Sequence, residues 1–149
     1  MTKLPSLAAL ILILLAGLMA YVRLAPTNPD DWHMDLGQRP APLAKPSPDT
    51  VTTLPNGAYT DLVLSPDQAQ TALANLDAIA LANPRTRRLA GSAASGRITW
   101  QSRSLIWGFP DYTTAQITAD GLTIFARQRF GSQDMGVNAA RLQSWLSKL

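Results

Sequence analysis

Cysteine is absent from this chain, which removes disulfides, thiol nucleophiles, thiolate metal sites and the acylated cysteine of a bacterial lipoprotein in one step. Glutamate is absent too, so all ten acidic side chains are aspartates, set against ten arginines and three lysines. The surplus of +3 is therefore carried mainly by guanidinium groups, which suit planar, bidentate contact with carboxylate or phosphate. The single histidine, His33, excludes a histidine-rich metal centre. With no second histidine or evident nucleophile beside it, His33 reads as a solvated or hydrogen-bonded neighbour rather than a catalytic base. Neither a metal nor a cofactor is expected from this inventory.

What the chain does have is an apolar start. Nineteen uncharged residues lie between Lys3 and Arg23, and as a helix they would span about 28 Å, enough to cross a bilayer. A cleaved signal peptide needs small residues at alternate positions, whereas Leu18 interrupts the pairs formed with Ala16 and Ala20, so residues 1–24 read as a retained anchor helix. One positive residue stands on each side of the span, and the short leader favours an N-terminus in the cytoplasm with the rest of the chain outside it. The expected setting is a bacterial inner membrane, single-pass, with a periplasmic domain.

Residues 25–58 change composition abruptly, holding seven of the eleven prolines. They read as an extended linker, of which Gln38 to Pro48 alone would span about 34 Å as polyproline II. Trp32 fits two environments, the headgroup belt and the surface of the folded domain, and both stay open.

Residues 59–149 carry the folded domain. Tyr59 to Leu64 reads as a strand, and Ser65-Pro66-Asp67-Gln68 opens a helix with a cap, a first-turn proline and a capping-box partner. Ala69, Ala72, Leu73, Leu76, Ile79 and Ala80 recur at helical spacing until Asn83-Pro84 ends the pattern. Arg85 to Gly91, a turn over Ser92 to Gly96, and the alternating stretch Arg97 to Arg103 predict a hairpin. Gly91 and Gly96 have phosphate-loop spacing, but Arg97-Ile98 stands where Lys and Ser or Thr are required, so a loop is expected there.

Asp120-Gly121 predicts a second hairpin, joining Tyr112–Ala119 to Leu122–Phe130. A two-residue turn at Asp120-Gly121 sets Ala119 opposite Leu122, and therefore Thr114 opposite Arg127 and Tyr112 opposite Arg129. One face is then polar and basic, and the other carries Ala115, Ile117, Leu122, Ile124 and Ala126 with Ile98 and Trp100. A last helix follows Asp134, with Met135, Ala139, Leu142, Trp145, Leu146 and Leu149 on its apolar side. The expected fold is α+β, a two-layer sandwich of a mainly antiparallel sheet of about five strands with two helices on one face.

Three stretches together resemble one family. Arg85-Thr-Arg-Arg-Leu-Ala-Gly91, Arg103-Ser-Leu-Ile-Trp-Gly-Phe-Pro-Asp-Tyr112, and Arg127-Gln-Arg-Phe-Gly131 with Asp134 and Gly136-Val-Asn138 are similar to the bacterial and plastid domain of unknown function 1499. Trp32-His33 after the anchor adds to the resemblance. It implies a fold unit and no reaction, so it assigns no catalytic role to Asp111 or Tyr112.

The candidate site is the end of the basic face: Arg103, Arg127 and Arg129 with Trp107, Asp111, Tyr112 and Gln116. Solvated or ion-paired arginines, with Asp111 and Asp134 as partners, are one reading. The second is a site for an anionic lipid or small anionic ligand, and the third an enzyme using Asp111 as acid or base. No catalytic constellation is spelled out. The membrane is the expected partner, with envelope proteins as a further class in which the chain is a structural partner of an envelope complex, and nucleic acid is not expected given the anchor and the small charge surplus.

Overall fold

The computed structural model describes residues 6–43 and 45–149, so Lys3 and Ala44 lie outside the described residues. Helix α1 spans Leu7–Leu24, with the Ser6 hydroxyl accepting from the Ala9 amide. It has mean hydropathy 2.4 over 18 residues and is almost wholly exposed, so this N-terminal helix is apolar enough to span a membrane. A single turn, α2 (Pro29–Trp32), follows, capped by Asn28.

Six strands form one sheet: β1 (Thr52–Leu54), β2 (Gly57–Val63), β3 (Thr86–Ser92), β4 (Arg97–Arg103), β5 (Pro110–Thr118) and β6 (Gly121–Gln128). Their order is β1-β2-β6-β5-β4-β3, with every neighbouring pair antiparallel. The architecture is α+β as expected, with one more strand: β1 hairpins onto β2 from within the segment read as linker.

Helix α3 (Pro66–Ala82) begins as its sequence dictates. The Ser65 hydroxyl accepts from the Gln68 amide and the Gln68 side chain accepts from the Ser65 amide. Helix α4 (Val137–Leu146) starts at Gly136, while Asp134 caps it from further back, accepting from the amides of Gly136 and Asn138 at 2.9 and 3.1 Å. Met135 turns outward and is exposed, outside the apolar side expected of it.

Leu73, Leu76, Ile98, Trp100, Leu122, Ile124, Leu142 and Trp145 make the core between these helices and the sheet. Trp100 meets Trp145 edge-on at 5.7 Å and donates its indole N–H to Asp77 at 2.8 Å. Burying side chains of this size stabilises the domain by about 1.5–3 kcal/mol each.

The second hairpin departs from the expected register by two residues. Thr118 faces Gly121 and Tyr112 faces Arg127, so Ala119-Asp120 is the loop and Gly121 is a strand residue. The physical reason lies on the next strand. A Cβ on Gly121 would stand 2.1 Å from the Leu62 carbonyl oxygen, so glycine is needed for the close approach of β2. Because the shift is even, each side chain keeps its predicted face.

Of the stretch expected to run as an extended linker, residues 25–58, the part that carries Trp32, Leu36 and Leu43 instead returns to the sheet face opposite the helices, and its end enters the sheet as β1 and the start of β2. Leu36 and Leu43 are fully buried there against Tyr59 and Phe125, forming a second small core. Arg39 fixes the path by a bidentate pair to Asp61 at 2.9 and 3.0 Å, and Asp61 also accepts from the Ser47 amide and the Thr123 hydroxyl. Proline supplies the extended backbone, but buried leucines and an ion pair direct it back onto the domain rather than away from it.

Candidate anion site at the arginine end of the sheet

Strand alternation puts Tyr112, Gln101, Arg103, Arg87, Arg127 and Arg129 on the face covered by the N-terminal segment. Trp32 settles on this face, its ring stacked on Tyr112 with centroids 3.8 Å apart. Arg127 lies beside it, 5.2 Å from the Trp32 ring and 5.0 Å from Phe125, and donates to the Trp32 carbonyl at 2.6 Å. Burial pulls its pKa down to about 10, with Tyr112 opposing. The Nη1 of Arg127 is buried without a hydrogen-bond partner among the described residues.

The Tyr112 hydroxyl is a node. It pairs with Thr27 Oγ1 at 2.9 Å and accepts from Gln101 at 3.1 Å and Arg129 at 3.4 Å. Arg129 also donates to Thr27, and Gln101 accepts from Arg87 Nε at 2.8 Å. Arg103 donates to the Gly108 carbonyl at 2.8 Å and reaches Val22, in the last turn of α1, at 3.5 Å. Its pKa is lowered, first by burial and then by the cations Arg87, Arg129 and Arg23, against the opposing effect of Tyr112.

Charge is segregated here. The ion pairs among the described residues use Arg39, Arg88, Arg97 and Arg141, leaving Arg23, Arg85, Arg87, Arg103, Arg127 and Arg129 without a carboxylate partner. These six lie in or beside the strand ends next to α1. Neutral hydroxyls, amides and carbonyls orient their guanidinium groups without neutralising them. Such an end can accept an anion with both charge and hydrogen bonds directed at it.

Of the expected site residues, Arg103, Tyr112, Arg127 and Arg129 are brought together. Asp111 is not among them. Its side chain faces the helix layer and pairs with Arg141 of α4 at 2.9 Å, both groups being nearly buried. Burial raises its pKa while Arg141 draws it down. Gln116 sits further along the sheet, accepting from the Leu36 amide at 2.8 Å and donating to Asp35 at 2.7 Å, and so holds the N-terminal segment. Trp107 is half-buried in the loop between β4 and β5, its ring 6.4 Å from Phe109.

Sequence reasoning missed Thr27, Gln101, Arg23 and Arg87. Gln101 was accessible from strand parity, since it shares a face with Arg103; Thr27 and Arg23 come from segments whose return onto the sheet has no local signature. His33 is a structural neighbour: Arg97 Nε donates to its Nε2 at 3.1 Å, so Nδ1 carries the proton toward Thr99 Oγ1 at 2.9 Å. Thr99 meets Thr114 at 2.9 Å, and Thr114 donates to the Trp32 carbonyl at 3.2 Å.

These features define a class: an α+β domain with helices on one sheet face, its own N-terminal segment on the other, and beside an apolar helix an arginine end whose six cations have no carboxylate partner among the described residues. The chain belongs to the family described as protein of unknown function (DUF1499), whose model matches residues 39–149. The match begins at Arg39, inside the segment that lies across the sheet. No curated protein and no solved structure matches the chain.

Proposed function

We propose that this chain is a membrane-anchored binding module that takes an anionic group, the phosphate of a lipid headgroup or of a small ligand, at the arginine end of its sheet. The reading is carried by the six arginines at this end that have no carboxylate partner among the described residues, with Arg23 in the last turn of α1 and Arg103 reaching the Val22 carbonyl there. Clustered cations are costly unless water or an anion answers them, and Tyr112 and Thr27 already hold Arg129, and Gln101 holds Arg87, in fixed directions. The bacterial inner membrane, with the sheet domain on the periplasmic side, is the proposed setting, and the apolar α1 supports the membrane part of it.

The test uses the full chain in neutral detergent, examined by native mass spectrometry with phosphatidylglycerol, phosphatidylcholine or inorganic phosphate added. Retention of phosphatidylglycerol, lost in Arg103→Gln/Arg129→Gln and kept in Lys148→Gln, supports the reading, and retention of inorganic phosphate with the same pattern identifies a free phosphate source. Equal retention by all three proteins, or by none, overturns it.

A further inference from the structure

The loop of residues 104–109, between β4 and β5, presents Leu105 and Ile106 to solvent at 70% and 67% exposure. Two consecutive apolar side chains this exposed are unusual on a surface with no partner. The loop is nevertheless firmly held. The Ser104 amide donates to the Phe109 carbonyl and the Phe109 amide to the Ser104 hydroxyl, each at 3.0 Å, while Arg103 holds the Gly108 carbonyl. Its apolar tip is therefore built outward.

The loop's position relative to α1 says what it meets. Arg23, in the last turn of α1, donates to the Ile106 carbonyl at 2.7 Å, and its stem lies where a Cβ on Gly108 would be, 2.9 Å away. An 18-residue helix is about 27 Å long, close to the roughly 30 Å of hydrocarbon in a bilayer, so its last turn reaches the membrane interface. A loop bonded to that turn lies at the same depth. Aromatic rings gather there as well, with Tyr21 6.2 Å from Phe130, Phe130 6.1 Å from Phe109, and Phe109 next to Trp107. Aromatic rings with an adjoining arginine suit the headgroup layer.

We propose that Leu105, Ile106 and Trp107 form a second membrane contact, inserted into the headgroup and acyl boundary of the same bilayer that α1 spans, so that the domain lies on the membrane. The inference rests on the reading of α1 as a membrane span and not on the anion site. It replaces a domain held off by a spacer with one seated by a helix and a loop, and it brings the arginine end to the level of lipid phosphates.

The absence of cysteine makes the test direct. Single-cysteine variants of the full chain, Leu14→Cys, Ile106→Cys and Val63→Cys, are labelled with an environment-sensitive fluorophore and reconstituted into phosphatidylcholine vesicles. All three positions are exposed on the protein itself, and Val63 lies at the opposite end of the sheet. The expected result is loss of iodide quenching at residue 106, with quenching by a nitroxide placed near the lipid headgroup; residue 14 responds to a nitroxide deep in the acyl chains, and residue 63 to iodide alone. Iodide quenching at residue 106 equal to that at residue 63 overturns the inference. Protection at residue 106 from both quenchers also overturns it, by assigning the loop to a second copy or another protein. If residue 14 escapes the deep nitroxide, the span itself is what fails.

Discussion

The Trp32 ring lies on the Tyr112 ring at 3.8 Å, tilted by 19°, and this contact fastens the segment leaving α2 to the arginine end of the sheet's basic face. Arg127 completes the arrangement between Trp32 and Phe125. Trp32→Ala removes an aromatic stack and a desolvated cation–π contact, so it is expected to destabilise the domain by about 2–3 kcal/mol. Trp32→Phe should recover part of the loss. Urea unfolding followed by circular dichroism in detergent measures both, and an unchanged midpoint in Trp32→Ala would show that the segment is not fastened there.

Asp111 is expected to act on stability alone. Asp111→Asn leaves the Arg141 cation nearly buried without its carboxylate, at a cost of about 3 kcal/mol. Lipid retention should be unchanged once the protein is folded, because Asp111 faces the helices and the arginine end faces away. Loss of retention at matched folding would place Asp111 in the site.

His33 makes stability depend on pH. Its pKa is lowered from 6.5, first by burial and then by the Arg97 cation, with Asp30 opposing. The unfolded chain therefore binds the proton more readily than the folded one, so the contribution is complete above pH 6.5 and is lost as pH falls below that value. Protonation also ends the Arg97 donation to Nε2. The urea midpoint should fall between about pH 8 and about pH 5, and His33→Gln should show a shallower fall over that interval. Parallel profiles would remove His33 as the source.

Gly121 answers to its backbone angle and to close packing together. Its φ of +138° lies well beyond the left-handed region that Asn tolerates. Any Cβ also meets the Leu62 carbonyl at 2.1 Å, so Gly121→Asn and Gly121→Ala should both destabilise by about 3 kcal/mol in urea unfolding. A well-tolerated Asn would contradict both constraints.

Features set by neighbours along the chain were legible in the sequence. Ser65, Pro66 and Gln68 announce α3, and the parity of β4 through β6 assigns the core face correctly even with the register displaced by two. Successive residues of a strand point to opposite faces, so the separation of Asp111 from Tyr112 was also legible, although their adjacency in the motif grouped them in one site. Features set by remote partners were not legible. Gly121 answers to Leu62 across the sheet, and Leu36, Leu43 and Trp32 sit in a proline-rich stretch whose local composition favours extension whether or not it returns to the fold. The basic face therefore read as open, whereas half of it is covered, and the uncovered charge is concentrated near α1.

The most direct measurement is the affinity of the full chain for a short-chain phosphatidylglycerol, titrated in neutral detergent and compared among the parent protein, Arg103→Gln/Arg129→Gln and Lys148→Gln. Hydrogen bonds to a charged group contribute about 1.5–3 kcal/mol each, so the double variant should bind at least about tenfold more weakly. Lys148→Gln, the charge control at the far end of α4, should match the parent. Equal affinities in all three would contradict an anion site at the arginine end.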